Sequence, residues 1–384
     1  MDPYDFAAER LPTDVRARIA AFWEHFCRHA EGLDRCFSSH MTDMSTDPTE
    51  VMAALGDVSP NLMWEFGPAD TGHSLCVTAE WSDESLVLAR ALHRAAPDLP
   101  RWTFYEARQP SPGDFSQTNF EARFGAPLVL TNLDARLNES GKIDVIGHGR
   151  GGANTLKTQT FQAAVMILGE ELERDWLGFC ECQKDGGLLG KFRRPKETSI
   201  SGPALLDQFR GEIAKARAKM PDQPLSAAGW ADRGRVLMQI NELPQDHPRH
   251  DLMTYNTTSE AFARAALGGE PFSSARLSNF GEWFACLRVE RTPEAPFDMV
   301  EDRADVEELL HHALEVDAVG GVVGSGHGRE AVYFDIGGPD VARLVAAVTR
   351  FLSDKPYASA ARLTFLDRGV ETVVLGDFGA TAMN

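Results

Sequence analysis

Two segments of this chain set an imidazole and a guanidinium among glycines: Gly147-His148-Gly149-Arg150-Gly151-Gly152 and Gly324-Ser325-Gly326-His327-Gly328-Arg329. Glycines let backbone N–H groups close on an anion, and an arginine adds a fixed charge suited to phosphate or carboxylate oxygens. The first segment satisfies GxGxxG between an expected strand and an expected helix, so an anion could rest at the helix N-terminus. A dinucleotide fold also needs an acidic residue about 20 residues further on. Glu181 and Asp185 lie beyond that spacing, and the flanking hairpins point to antiparallel pairing, so turn geometry is the preferred account of these glycines. The second segment falls at an expected hairpin tip with no helix behind it and reads as a flexible turn. If the two loops converge, Gly147, His148, Gly149, Arg150, Gly152, His327 and Arg329 form an anion or phosphoester pocket. They are the ligand-binding set the sequence offers, and no catalytic residue stands out.

Metal and nucleophile patterns are weaker. His25 and His29 sit at i, i+4 without a third ligand at standard spacing, and HExxH is absent. His247 and His250 fall in a loop, His311 and His312 diverge on a helix, and Cys180 and Cys182 share a strand face without a partner pair. There is no GxSxG elbow and no Walker loop. The expectation is no metal and no cofactor.

Side chains of this kind need elements to hold them, and the clearest lie at 281–366. Trp283, Ala285, Leu287 and Val289 alternate with Glu282, Phe284, Cys286 and Arg288, a strand period. Behind Asp302 or Asp305 as cap, Val306, Leu309, Leu310, Ala313 and Leu314 form a helical stripe. Segments 319–324 and 331–336 then predict a hairpin around a glycine-rich turn. Pro339 opens a second helix with Val341, Leu344, Val345, Val348 and Leu352 on one side, and 362–366 returns as a strand, with 371–375 extending the edge. The order βαββαβ is that of a ferredoxin-like sandwich.

Upstream, Val15, Ile19, Phe22 and Phe26 predict a first helix and Asp47-Pro48 a second, shorter one. Strands at 62–66 and 75–81, a helix at 83–96 and a strand at 101–107 follow. Strands at 128–137 and 143–147, a helix at 156–174 and a strand at 177–182 repeat the order. This ββαβ pattern, met twice, predicts either one extended antiparallel sheet or two related half-units. The fold class is therefore α+β, with antiparallel sheets and helices on one face. Domains are expected at 1–183 and 231–384, joined by a connector at 184–230 with one helix. Within that connector Lys184, Lys191, Arg193, Arg194, Lys196, Arg210, Lys215, Arg217 and Lys219 outnumber Asp185, Glu197, Asp207 and Glu212. By contrast, acids dominate 291–318, where Arg291 and Arg303 are the only bases, and both stretches read as solvated faces.

The net charge of −19 over 384 residues argues against general nucleic-acid or anionic-membrane binding. Cys27, Cys36, Cys76, Cys180, Cys182 and Cys286 show no framework spacing and read as reduced thiols of a cytoplasmic protein. No membrane-length apolar run and no secretory signal are expected.

The run Trp64-Glu65-Phe66-Gly67-Pro68, the strand at 75–80 and the turn Ala95-Ala96-Pro97-Asp98-Leu99-Pro100-Arg101-Trp102 resemble a family of uncharacterised bacterial cytoplasmic proteins, as does the helix end Leu168-Gly169-Glu170-Glu171. The match covers roughly residues 50–183 and is structural in kind. It implies a bacterial cytoplasmic origin and transfers no activity. The leading expectation is a non-enzymatic binding or regulatory protein that holds a protein partner, or a second copy of the chain, through an acidic surface or sheet edge. The alternative is an enzyme or ligand-binding protein for a phosphorylated or anionic small molecule at Gly147–Gly152.

Overall fold

The computed structural model describes residues 1–70, 72–80, 82–111, 113–184, 199–227, 235–293, 295, 297 and 300–370. In chain order the first elements are α1 (Pro3–Ala8), α2 (Thr13–Ser38), α3 (Pro48–Met52), β1 (Met63–Ala69), β2 (Gly72–Thr78), α4 (Leu86–Arg94), β3 (Trp102–Tyr105), β4 (Phe115–Ser116), α5 (Gln117–Phe124), β5 (Leu130–Leu137), β6 (Ile143–Gly149), α6 (Ala153–Trp176) and β7 (Leu177–Lys184). Then come β8 (Ser199–Ile200), α7 (Gly202–Arg217), β9 (Val236–Gln239), β10 (Leu252–Thr257), α8 (Glu260–Leu267), β11 (Trp283–Glu290), α9 (Val300–Val316), β12 (Gly321–Gly328), β13 (Ala331–Gly338), α10 (Val341–Leu352) and β14 (Ala361–Phe365).

The chain does not divide at 183. Its contacts group Met1–Leu62, Trp81–Pro97 and Pro221–Asn384 into one unit, and Met63–Glu80 with Asp98–Met220 into another. The reason is that the N-terminal helices belong with the C-terminal sheet: the Phe6 ring meets Phe365 edge-on, and Val341 donates its N–H to Met1 O.

The smaller unit holds two three-stranded sheets of the same plan. β1 pairs antiparallel with β2 and β2 parallel with β3; β5, β6 and β7 repeat this arrangement. The repeated ββαβ order thus forms two separate sheets, each with one parallel pair, in place of a single extended antiparallel one. A parallel pair needs a long crossover, which α6 supplies between β6 and β7. α7, expected as part of a basic connector, instead buries Leu205, Leu206, Phe209 and Ile213 in a core with Ile143, Val145, Ile167 and Leu168. Its Lys215 and Arg217 lie in the last turn, complementing the helix dipole. Lys191, Arg193, Arg194 and Lys196 of the same stretch fall outside the described residues.

Within α6, Gly169 takes φ 73 and breaks the helix. A Cβ there would meet Pro110 N at 2.6 Å and Arg108 O at 2.7 Å, so the kink admits the 108–110 segment only because the residue is glycine. Glu170 N then donates to Arg108 O at 2.9 Å, and the Glu170 carboxylate accepts from Arg108 N at 3.1 Å and from the Thr78 hydroxyl. Burial raises the Glu170 pKa, an effect its hydrogen bonds and Arg174 only partly offset. A carboxyl with a raised folded-state pKa lends stability below its unfolded pKa and loses that contribution as pH rises through the folded value. Glu170→Gln keeps the acceptor and removes the charge, so its melting temperature is expected a few degrees above wild type at pH 7, the gap closing towards pH 4. An equal gap at both pH values would contradict this reading.

In the larger unit one sheet runs β14-β11-β13-β12-β10-β9, antiparallel throughout. β11-α9-β12-β13-α10-β14 forms the ferredoxin-like unit, its last strand beside its first and its third between the first two, while β10 and β9 extend the sheet. α9 and α10 pack together, with α9 against β12. The opposite face is also covered, since α8 and neighbouring loops bring Phe262, Phe272 and Leu277 onto Tyr255, Phe284, Cys286 and Tyr333. Residues 371–375, expected to extend the edge, fall outside the described residues.

The glycine-rich segment at 324–328 is not the expected flexible turn. It is the second half of β12, fully paired, and the turn is confined to Arg329 and Glu330. Alternation explains its composition. A Cβ at Gly324 would strike the Tyr255 hydroxyl oxygen, at Gly326 Leu252 Cδ1 and at Gly328 an Asp251 carboxylate oxygen. From Gly324 onward one strand face is therefore glycine, to admit side chains of β10 and of Asp251 just before it, while Ser325 and His327 occupy the other.

Candidate functional site

Most buried charges of the larger unit are fully answered. Arg249 meets Asp335 through two bonds, 2.8 and 2.6 Å, and the Tyr255 hydroxyl adds a third at 2.6 Å. Asp251 accepts from Glu330 N at 2.8 Å, Ala331 N at 3.2 Å and the Tyr333 hydroxyl. Glu282 accepts from Leu225 N and Ser226 N, both at 2.8 Å, and from the Ser226 and Ser278 hydroxyls. Networks satisfied in this way are structural.

One cluster is different. On α9, Arg303 and Glu307 lie one turn apart on the face that packs on β12, joined at 3.0 Å, and Arg303 also donates to the Ser325 hydroxyl. Further along the same stripe, His311 Nδ1 accepts from Val322 N at 3.2 Å. Ser325 and His327 are two apart on β12, so their side chains share the face towards α9. Asn256 of β10 stands opposite Ser325 and Thr254 opposite His327. Arg291, just past β11, reaches His327 Nε2 at 2.5 Å, and Arg235 lies 4.0 Å from Glu307. Glu307 is 1% exposed, Ser325 0%, and Arg303 and His327 6% each.

Burial without full pairing sets the electrostatics. It pushes the Glu307 pKa up despite Ser325 and the two nearby guanidiniums, and pulls the Arg303 pKa down despite Glu307. The His327 pKa falls through burial first and then through Arg291 and Arg303. A neutral His327 that accepts at Nε2 carries its proton on Nδ1. Among the described residues Nδ1 has no partner; nor do Arg291 Nε, Arg303 Nε, Glu307 Oε1, Asn256 Oδ1 and Thr258 Oγ1, all buried atoms. Buried polar atoms are ordinarily paired, and here unpaired ones concentrate around two strand positions and one helix turn.

The structure places the seven sequence-derived residues as follows. His327 belongs to this cluster. Arg329 is exposed in the β12–β13 turn, where its N–H bonds Asp251 O at 3.1 Å. Gly147, His148, Gly149, Arg150 and Gly152 belong to the other unit. Gly147 and Gly149 are strand residues; a Cβ on Gly149 would come within 2.3 Å of Val129 O, and one on Gly147 would collide with Thr160. His148 Nε2 lies 2.8 Å from Asp134, Arg150 N donates to Val129 O at 3.1 Å, and Gly152 is the N-cap residue of α6. The first three of these residues thus bring β6 close to β5 and α6.

Arg291, Arg303 and Glu307 fall in an acid-rich stretch whose composition assigns its charges to solvent, whereas Asn256 and Ser325 are small neutral residues with no distinguishing spacing. A signal did exist. Arg303, Glu307, Leu310 and Leu314 recur at helical spacing, so the two charges sit in phase with the buried stripe, whereas Leu309, expected in that stripe, is 55% exposed.

Among the described residues no group of three or more His, Cys, Asp or Glu is arranged to hold a metal, and all six cysteines are free. The His25 and His29 rings meet at a tilt of 40°, their centroids 4.5 Å apart. No described helix is long and apolar enough to cross a membrane. Protein-family models, curated proteins and solved structures yield no match to this chain.

Proposed function

We propose that the protein is a binding protein for a small anion, seated where α9, β12 and β10 meet. The observation that carries this reading is the surplus of unanswered donors there: Arg291 Nε, Arg303 Nε and His327 Nδ1 are buried and unpaired around the Ser325 hydroxyl. Two guanidiniums, Arg235 and Arg303, lie beside Glu307 and a third, Arg291, beside His327, which also feels the Asp302 carboxylate, in a chain whose net charge is −19. Placing cations together in an acidic protein at a low-dielectric site costs stability that an anionic ligand restores. Phosphate oxygens match planar guanidinium forks. Inorganic phosphate titrated calorimetrically into the protein is expected to bind, and Arg291→Leu, at a half-exposed position, to weaken it about tenfold or more. Equal affinity in both proteins, or no binding to either, would remove the reading.

A second reading, partner binding at a sheet edge, rests on β9. It is the last strand of the six-stranded sheet, and Leu237 on it is 75% exposed. An edge strand offers unpaired backbone groups to an added strand. Leu237→Pro, which removes a backbone donor, is expected to abolish capture of a protein partner that survives high salt. Salt-resistant capture by the proline variant would count against this edge.

A further inference from the structure

The same cluster restricts the chemistry of its ligand beyond charge. Its unpaired atoms are of two kinds. Arg291 Nε, Arg303 Nε and His327 Nδ1 are donors, whereas Glu307 Oε1 and Asn256 Oδ1 are acceptors, and all five are buried. An inorganic phosphate dianion keeps a single hydroxyl hydrogen, so it answers the donors and at most one of the two acceptors. The other acceptor stays unanswered, and an unpaired buried acceptor loses its hydration without compensation. The two kinds are also placed differently. Asn256 stands on β10 opposite Ser325, towards the β9 side of the sheet, while Arg291 reaches His327 from the end of β11, on the β13 side. Glu307 and Arg303 lie one turn apart on α9, which packs against β12. A ligand spanning this arrangement therefore presents an anionic end towards Arg291 and His327 and hydroxyl hydrogens towards Glu307 and Asn256.

Resting on the anion-binding reading above, we infer that the ligand is a phosphomonoester of a polyol or sugar, its phosphate held by Arg291, Arg303 and His327 and its hydroxyls donating to Glu307 and Asn256.

The test compares three probes by calorimetry on the full chain: inorganic phosphate, methyl phosphate and glycerol 3-phosphate. Methyl phosphate has the ester and no hydroxyl on its organic part. Glycerol 3-phosphate is expected to bind about tenfold or more tighter than methyl phosphate, as two added hydrogen bonds allow. Asn256→Val, at a half-exposed strand position where a β-branched residue fits, is expected to narrow that ratio about threefold or more and leave methyl phosphate affinity unchanged. Equal binding of all three probes would overturn this inference and leave the anion-binding reading standing. Failure of all three to bind would overturn both.

Discussion

Asp335→Ala is expected to lower the unfolding free energy by about 3–5 kcal/mol, the cost of stranding a buried charge. Arg249 is 3% exposed and Asp335 0%, and both guanidinium nitrogens that reach the carboxylate do so at hydrogen-bond length. Burial alone would lower the Arg249 pKa, and in the native pair the adjacent Asp335 more than reverses this; a guanidinium is so basic that it keeps its charge even when buried, so removing Asp335 strands a cation. The Tyr255 hydroxyl would lose its acceptor as well. Cys286, whose thiol burial pushes up to about 12, offers no replacement anion. Urea denaturation of Asp335→Ala, and of a double variant with Arg249→Met and Asp335→Leu, separates the charge from the packing. The double variant is expected to recover most of the loss, because well-packed apolar residues commonly substitute for a buried pair. A cost below about 1 kcal/mol for the single variant would mean that solvent reaches Arg249 and that the pair does not secure β10 to β13.

The residues that fixed the fold were those whose burial follows a simple period. Alternation from Trp283 to Val289 and the stripe Val341, Leu344, Val348, Leu352 mark β11 and α10, because a sheet and a helix packed on it each have one obligatory apolar face. The doubled ββαβ order was legible for the same reason. The grouping of the chain into units was not, since no local pattern records that α1 returns to lie near β14. The candidate site was half legible. His327 stands out in sequence by its glycine neighbours, which signal a turn there but in the fold make space for Tyr255 and Leu252 across the sheet. Arg303 and Glu307 were hidden by composition: acids surround them in sequence, and only the helical phase shared with Leu310 and Leu314 turns them inward. Charges in a core position violate the binary pattern, and such violations concentrate at functional sites.

That argument sets Arg303 and Glu307 apart from Arg249 and Asp335 in a way stability can test. The Arg249 pair is saturated with partners, whereas Arg303 Nε and Glu307 Oε1 are buried without any. Replacing Arg303 and Glu307 together by methionine is therefore expected to leave the unfolding free energy unchanged or raise it by about 1–4 kcal/mol. The same change should weaken phosphate binding about a hundredfold or more, through loss of a buried guanidinium. The pH dependence carries a sign. Burial raises the Glu307 pKa in the folded state, so wild-type stability is favoured below the unfolded carboxyl pKa and declines as pH rises through the folded value. The double variant lacks this group, and its advantage should be small near pH 4 and grow towards pH 7. Denaturation at the two pH values together with phosphate calorimetry at pH 7 decides the matter. Destabilisation as large as that of Asp335→Ala, with phosphate binding retained, would make the α9 pair a structural bridge and move the search for a ligand elsewhere in the molecule.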